Sequence, residues 1–139
     1  MTRIASLAAG AALVLLGVAA PELSATAAEQ ARPQRGTASY YAQRFNGRKM
    51  ANGRRFDARS NSAAHRTLPL GTTAQVTNLE TGRTAEVKVE DRGPYVGNRV
   101  IDLSPQTAQA IGMKEQGTAP VVVTPVRVPD HDERVASER

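Results

Sequence analysis

The sequence predicts a mainly β fold, a small barrel of short strands carrying one short helix. Three observations lead there. Residues Thr84 to Glu90 alternate, with Ala85, Val87 and Val89 on one side and Thr84, Glu86, Lys88 and Glu90 on the other. That period of two is a strand with one face in water, which places Glu90 on the solvent side. A second run, Thr73 to Asn78, joins it through Glu80-Thr81-Gly82-Arg83, so the two predict a hairpin. Finally, one helix signal, Ser104-Pro105 closed by Gly112, stands among several short β-branched runs. Short strands with a lone helix make a small barrel.

The elements follow in order along the chain. Arg3 supplies a charge, Leu7 to Ala20 an apolar run, and Ala25-Thr26-Ala27 a small-residue cleavage site. Residues 1–27 therefore read as a secretory signal peptide, with an apolar run too short for a membrane span. Cleavage after Ala27 leaves 112 of the 139 residues, enough for one domain with a modest core. Residues 28–35 are polar and read as a linker. The domain is expected over residues 36–128, opening with a strand from Gly36 to Ala42 that carries Tyr40 and Tyr41. Residues 43 to 63 hold the turn dipeptides Asn46-Gly47 and Asn52-Gly53 and predict a long irregular loop. Loops of that length inside a small domain are usually functional. Ser104 can cap free backbone N–H groups, and Pro105 at the first helical position loses no bond it would have made. Val121 to Val128 is rich in β-branched residues and predicts a last strand, with Pro125 marking an edge or a bulge. Residues 129–139 are polar and predict a disordered tail.

Composition narrows the function. The chain has no cysteine, so it has no disulfide, no thiolate metal site and no thiol nucleophile. Its net charge of +5 is uneven, because residues 32 to 66 hold nine Arg or Lys and one acid, Asp57. For an exported protein an anionic wall polymer fits that charge better than nucleic acid; a solvated face is the plainer alternative. There is no Gly-rich phosphate loop and no serine elbow. One histidine within the domain argues against zinc, and no cofactor or metal is expected. The tripeptide nearest to an aspartic-protease signature is Glu80-Thr81-Gly82, in a plain turn.

Few residues remain to carry chemistry. Asp91 stands where the alternating strand ends and Gly93-Pro94 forces a turn. A carboxyl there is fixed by the scaffold yet reachable from a cleft, although aspartate also caps its own turn. His65 lies between small alanines and Leu68-Pro69-Leu70. It is either a buried ring bonded to backbone or a site residue that titrates near neutral pH. Asp57 is either a site acid or the salt-bridge partner of Arg54, Arg55 or Arg59. Tyr40, Tyr41, Phe45, Phe56 and Tyr95 lie in the segments that would line a cleft, where aromatic faces stack on sugars. For Phe45 and Phe56 a core position is equally open.

Three pieces of the chain together resemble the rare lipoprotein A family of cell-wall lytic transglycosylases. They are Ala63-Ala64-His65-Arg66-Thr67-Leu68-Pro69-Leu70-Gly71-Thr72, then Asp91-Arg92-Gly93-Pro94-Tyr95, then Arg99-Val100-Ile101-Asp102-Leu103-Ser104. The resemblance runs from Gly36 to Val128. It implies a six-stranded double-psi β-barrel, and an endolytic peptidoglycan lytic transglycosylase that leaves 1,6-anhydro ends. It implies Asp91, His65 and Asp57 as catalytic residues converging on one groove, with Asp91 and His65 within a hydrogen bond or one water of each other. Tyr41, Asn52, Arg92 and Tyr95 are implied as substrate-binding. Where the family carries Gly-Glu-x-Phe-Asp, this chain reads Gly53-Arg54-Arg55-Phe56-Asp57, so Arg54 replaces a glutamate.

A lytic transglycosylase can work with one acid, provided that the group holds a proton near neutral pH. Arg92 is therefore expected to turn away from Asp91, towards Asp102 or the glycan. The partner expected is the glycan strand of peptidoglycan, met by a monomer in the periplasm or cell envelope with no membrane anchor once the signal is removed. Two other readings stand beside it. One is a non-catalytic, expansin-like glycan-binding module, favoured by Arg54. The other is a cationic envelope protein, which leaves Asp91 and His65 without a role.

Overall fold

The computed structural model describes residues 32–130, with Gly17 alone before them. The expected signal peptide apart from Gly17, the first half of the linker and the tail beyond Asp130 lie outside the described residues. Six strands close into a barrel: β1 (Gln34–Tyr40), β2 (Ser62–His65), β3 (Thr73–Asn78), β4 (Thr84–Asp91), β5 (Arg99–Leu103) and β6 (Ala119–Arg127). Their order around the barrel is β1-β5-β2-β4-β3-β6. Among the described residues a 3₁₀ turn spans Gln43–Phe45 and a single helix, α1, spans Pro105–Ala110.

The pairing is not a meander. β3–β4, β3–β6, β1–β6 and β2–β5 are antiparallel, while β1–β5 and β2–β4 are parallel. A parallel pair needs a long crossover, and here two crossovers interlock as a double-psi barrel. Closure removes free edges. The barrel is filled by Val76, Val87, Val89, Ile101, Leu103, Val121 and Val123, all at most 1% exposed. One position tolerates no side chain at all: a Cβ on Gly36 would stand 2.3 Å from a methyl of Val100, so only glycine lets β1 approach β5 so closely.

Several expectations hold to the residue. β3 spans Thr73–Asn78 as read. Ser104 caps α1 by accepting from the Thr107 N–H at 3.1 Å, with Pro105 at the first helical position. β1 begins at Gln34, two residues before the expected domain boundary, because Gln34 and Arg35 pair with Val123 and Val122. β2 was expected as loop. All four of its residues are buried, so it shows no alternation. Pro125 marks a bulge, since the β3–β6 register shifts where Ala74 meets it.

Candidate active site

Asp91 ends β4, and a bulge sets its direction. In the β2–β4 ladder Ala63 pairs with Val89 but Ala64 pairs with Asp91, so Glu90 is the extra residue. Bulges of this kind re-aim side chains at strand ends. This corrects the expectation for Glu90, which is 8% exposed rather than solvated. Its carboxylate accepts from Asn52 Nδ2 at 3.0 Å, and its carbonyl accepts from the Asn52 N–H at 3.1 Å. Asp91 Oδ1 accepts from the Ala51 N–H at 2.8 Å and from its neighbour Arg92 N–H at 2.9 Å. The two acids thus clip the turn at residues 50–53 over the end of the strand.

The other oxygen, Asp91 Oδ2, accepts a 2.7 Å bond from the Tyr41 hydroxyl. The Tyr41 ring lies 4.2 Å from the buried Phe56 ring, centroid to centroid, and 6.0 Å edge-on from Phe45. Burial first, then the bond to Asp91 and the charges of Asp91 and Asp102, push the Tyr41 phenol well above the usual tyrosine range. Tyr41 therefore keeps its own proton and serves Asp91 as a hydrogen-bond donor. Phe56 is core at 3% exposure, while Phe45 is half-buried at the groove, with Arg44 and Arg48 stacked on its ring at 5.0 and 5.1 Å.

Asp91, Tyr41, Phe45 and Arg92 face one groove of about 650 Å³, which Tyr95 closes at its rim, 75% exposed. Asp102 lines the same groove. It and Asp91 both pair with Ala64, one from each side of β2. Two strand spacings of ~4.8 Å put their backbones about 10 Å apart. Asp102 Oδ1 accepts from Ser39 Oγ and from Arg99 Nη2, the latter at 2.7 Å. Asp91 is in neither the Arg99–Asp102 nor the Arg59–Asp57 ion pair. Asp102 was not singled out as a site residue. The signal was there, a lone carboxyl in the apolar run Val100-Ile101-Asp102-Leu103.

Of the other expected site residues, His65, Asp57 and Asn52 lie outside this groove, while Arg92 lines it. His65 is 3% exposed, and both its ring nitrogens are engaged. Nδ1 accepts from the N–H groups of Thr67 and Leu68 at 3.2 and 3.1 Å, so Nε2 carries the hydrogen and donates to Gln34 Oε1 at 2.8 Å. Burial, then Arg92 and Arg66, hold its pKa down to about 4. The expected His65–Asp91 bond is not made, because the ring is turned to its own loop and to β1. Arg92 does turn from Asp91, but not towards Asp102. Its Nη1 donates to the carbonyls of His65 and Leu68, at 3.2 and 2.6 Å, and Arg99 takes Asp102 instead. Asp57 is exposed; its Oδ1 accepts from the Arg59 N–H at 2.8 Å and lies 3.9 Å from that guanidinium. Asn52 shapes the turn, its Oδ1 accepting from the Arg54 N–H at 2.9 Å. Neither His65, Asp57 nor Arg54 lines the groove around Asp91. Among the described residues no cluster of His, Cys, Asp or Glu could hold a metal ion.

A family model described as lytic transglycolase matches residues 33–123, which takes in the whole groove. The chain belongs to the lytic transglycolase family. It is 44% identical over 106 residues to the endolytic peptidoglycan transglycosylase RlpA of Neisseria meningitidis, covering 76% of this chain and 44% of that one. To RlpA of Pseudomonas aeruginosa it is 49% identical over 88 residues, 63% of this chain and 26% of that one. The chain therefore spans less than half the length of these curated relatives. Solved structures of a similar fold include a Streptomyces papain inhibitor (TM-score 0.57, 24% identity, 69% of this chain and 96% of that one). Another is an expansin of Clavibacter michiganensis (TM-score 0.54, 24% identity, 71% and 52%). The fold of this family member is the double-psi barrel read from its sequence. No helix among its described residues is long and apolar enough to cross a membrane.

Proposed function

We propose that this protein is an endolytic peptidoglycan lytic transglycosylase of the cell envelope, with Asp91 as its acid. The observation that carries this reading is a carboxyl at a bulged strand end, facing an aromatic-walled groove and in no ion pair among the described residues. Asp102 in the same groove is tied to Arg99. A guanidinium holds a carboxyl in its charged form more strongly than the neutral O–H and N–H donors that meet Asp91.

The chemistry needs one such group. Protonated Asp91 gives its proton to the glycosidic oxygen as the bond from that oxygen to the anomeric carbon breaks. The sugar's own C6 hydroxyl oxygen then bonds to the anomeric carbon, and its proton passes to the Asp91 carboxylate. The products are a shortened strand and a 1,6-anhydro end; no water is consumed and the acid is regenerated. Tyr41 holds Oδ2 in place, and the Ala51 and Arg92 N–H groups hold Oδ1. Positioning of this kind keeps the acid within reach of the reacting oxygen. Tyr95 and Phe45 offer faces on which sugars stack. Arg92 positions rather than binds, by pinning the 65–68 segment beside the groove. His65, neutral in the ordinary pH range, supports that segment from within. Asp57 orders the turn before β2.

Arg54 favours the expansin-like reading, because the family carries an acid there. The groove around Asp91 is nonetheless lined by two carboxyls that do not depend on that position. Digestion of purified glycan strands, read by mass spectrometry for 1,6-anhydro ends, tests the proposal. Anhydro products are expected. Strand binding without any cleavage would favour the non-catalytic module.

A further inference from the structure

A second groove, of about 540 Å³, opens on the far side of Tyr40-Tyr41-Ala42. These three residues line both grooves, so the two meet along one wall. Tyr41 is also the residue bonded to Asp91, which puts the junction of the grooves beside the acid. Their linings differ in kind. Asp91, Asp102 and several arginines face the first. The second has no acid; Gln43, Gln106 and Gln109 line it, with Arg59 and Lys114. Tyr40 fixes one end by donating to the Lys114 carbonyl at 2.7 Å.

We infer that the second groove is a further carbohydrate subsite, which takes the sugars on one side of the bond cleaved at Asp91. Side-chain amides both donate and accept, which suits ring hydroxyls and acetamido groups. The tyrosine at the shared wall adds a stacking face. Arg59 and Lys114 suit a carboxylate substituent on the sugar. Each groove falls within the ~300–1,000 Å³ usual for ligand sites. Placed end to end with the acid at their junction, they hold a strand on both sides of the reacting bond. An enzyme that cuts within strands must hold several sugars on each side of that bond; one that trims ends needs room for only one or two on one side. The inference rests on the proposed glycan-cleaving function, and its test separates the two.

Gln106 and Gln109 are exposed on α1, so Gln106→Ala/Gln109→Ala leaves the fold and the first groove intact. The variant and the wild type are assayed on a length series of peptide-free glycan oligosaccharides. With two neutral hydrogen bonds lost, the variant should show about a tenfold higher KM on long strands and an unchanged kcat. The shortest strand that is cleaved ends at the shared tyrosine wall, short of Gln106 and Gln109, and should be unaffected. An equal loss on short and long strands, or no loss on either, overturns the subsite. If the wild type cleaves nothing, the catalytic reading fails and binding alone decides. In Asp91→Asn protein titrated with a peptide-free octasaccharide, shifts in the side-chain amide resonances of Gln106 and Gln109 support the subsite. Silence at both, or a response to stem peptide alone, overturns it.

Discussion

The barrel wall made by β3, β4 and β6 and the loop between residues 43 and 61 are held by different forces. The wall is apolar and repetitive: Val76, Val87, Val121 and Val123 are buried in register, and burial of each is worth ~1.5–3 kcal/mol. The loop has two buried apolar anchors, Met50 and Phe56, and an isolated bridge between Lys49 and Arg55. Much of its order comes from polar bonds to the end of β4, where Glu90 and Asp91 accept from Ala51 and Asn52. The same two residues that end a strand therefore fasten the wall of the groove. The proposed chemistry and the local architecture share a carboxylate here, whereas the barrel core is independent of both.

Four changes probe that division, the largest first. Ile101→Ala empties a fully buried site in β5 and should cost about 2–5 kcal/mol of stability, read by denaturant unfolding. A loss under 1 kcal/mol would mean that the barrel is not the main source of stability. The second probe is pH. His65 binds its proton more weakly when folded (about 4) than when unfolded (ordinarily 6.5). Its contribution is thus present above about pH 6.5 and is lost as pH falls from there through about 4. The change is on the order of 3 kcal/mol over that window. His65→Gln should flatten this dependence; an unchanged slope would show that the ring is not buried neutral.

The third change, Glu90→Ala, should cost about 1–2 kcal/mol by removing the acceptor for Asn52. Amide exchange should quicken at Ala51 and Asn52 while Val87 and Val121 stay protected. Equal quickening at all four would erase the distinction between loop and wall. Arg54→Glu is the smallest. Its side chain is exposed and lies outside the groove, so cleavage should change by no more than about twofold. A tenfold gain would place the family's glutamate in the chemistry after all.

The same division governs what the sequence reveals. β3, the hairpin and the Ser104 cap were legible because period, turn chemistry and capping all act locally. β2 was not, because a strand buried on both faces has no alternation to display. Glu90 was misplaced because alternation assumes an unbroken ladder, and the bulge that breaks it depends on β2, 25 and more residues earlier in the chain. The groove was legible in part. Asp91, Tyr41, Arg92 and Tyr95 all line it. His65 and Asp57 were read towards the same groove, yet each is drawn off by nearby backbone donors. Asp102 came to the groove through pairing across Ala64, a relation between distant segments that no local pattern carries.

The central claim is that Asp91 supplies the proton, and one comparison tests it most directly. Wild type and Asp91→Asn are incubated with the same purified glycan, and release of 1,6-anhydro ends is followed by mass spectrometry. Asparagine keeps an oxygen for the Ala51 and Arg92 N–H groups, so the turn and glycan binding should persist. What is lost is the proton donor, and the rate should fall by roughly 10²–10⁴. Asp91→Asn that releases anhydro ends at near the wild-type rate, with Asp102→Asn inactive, would contradict the account and move the acid to β5.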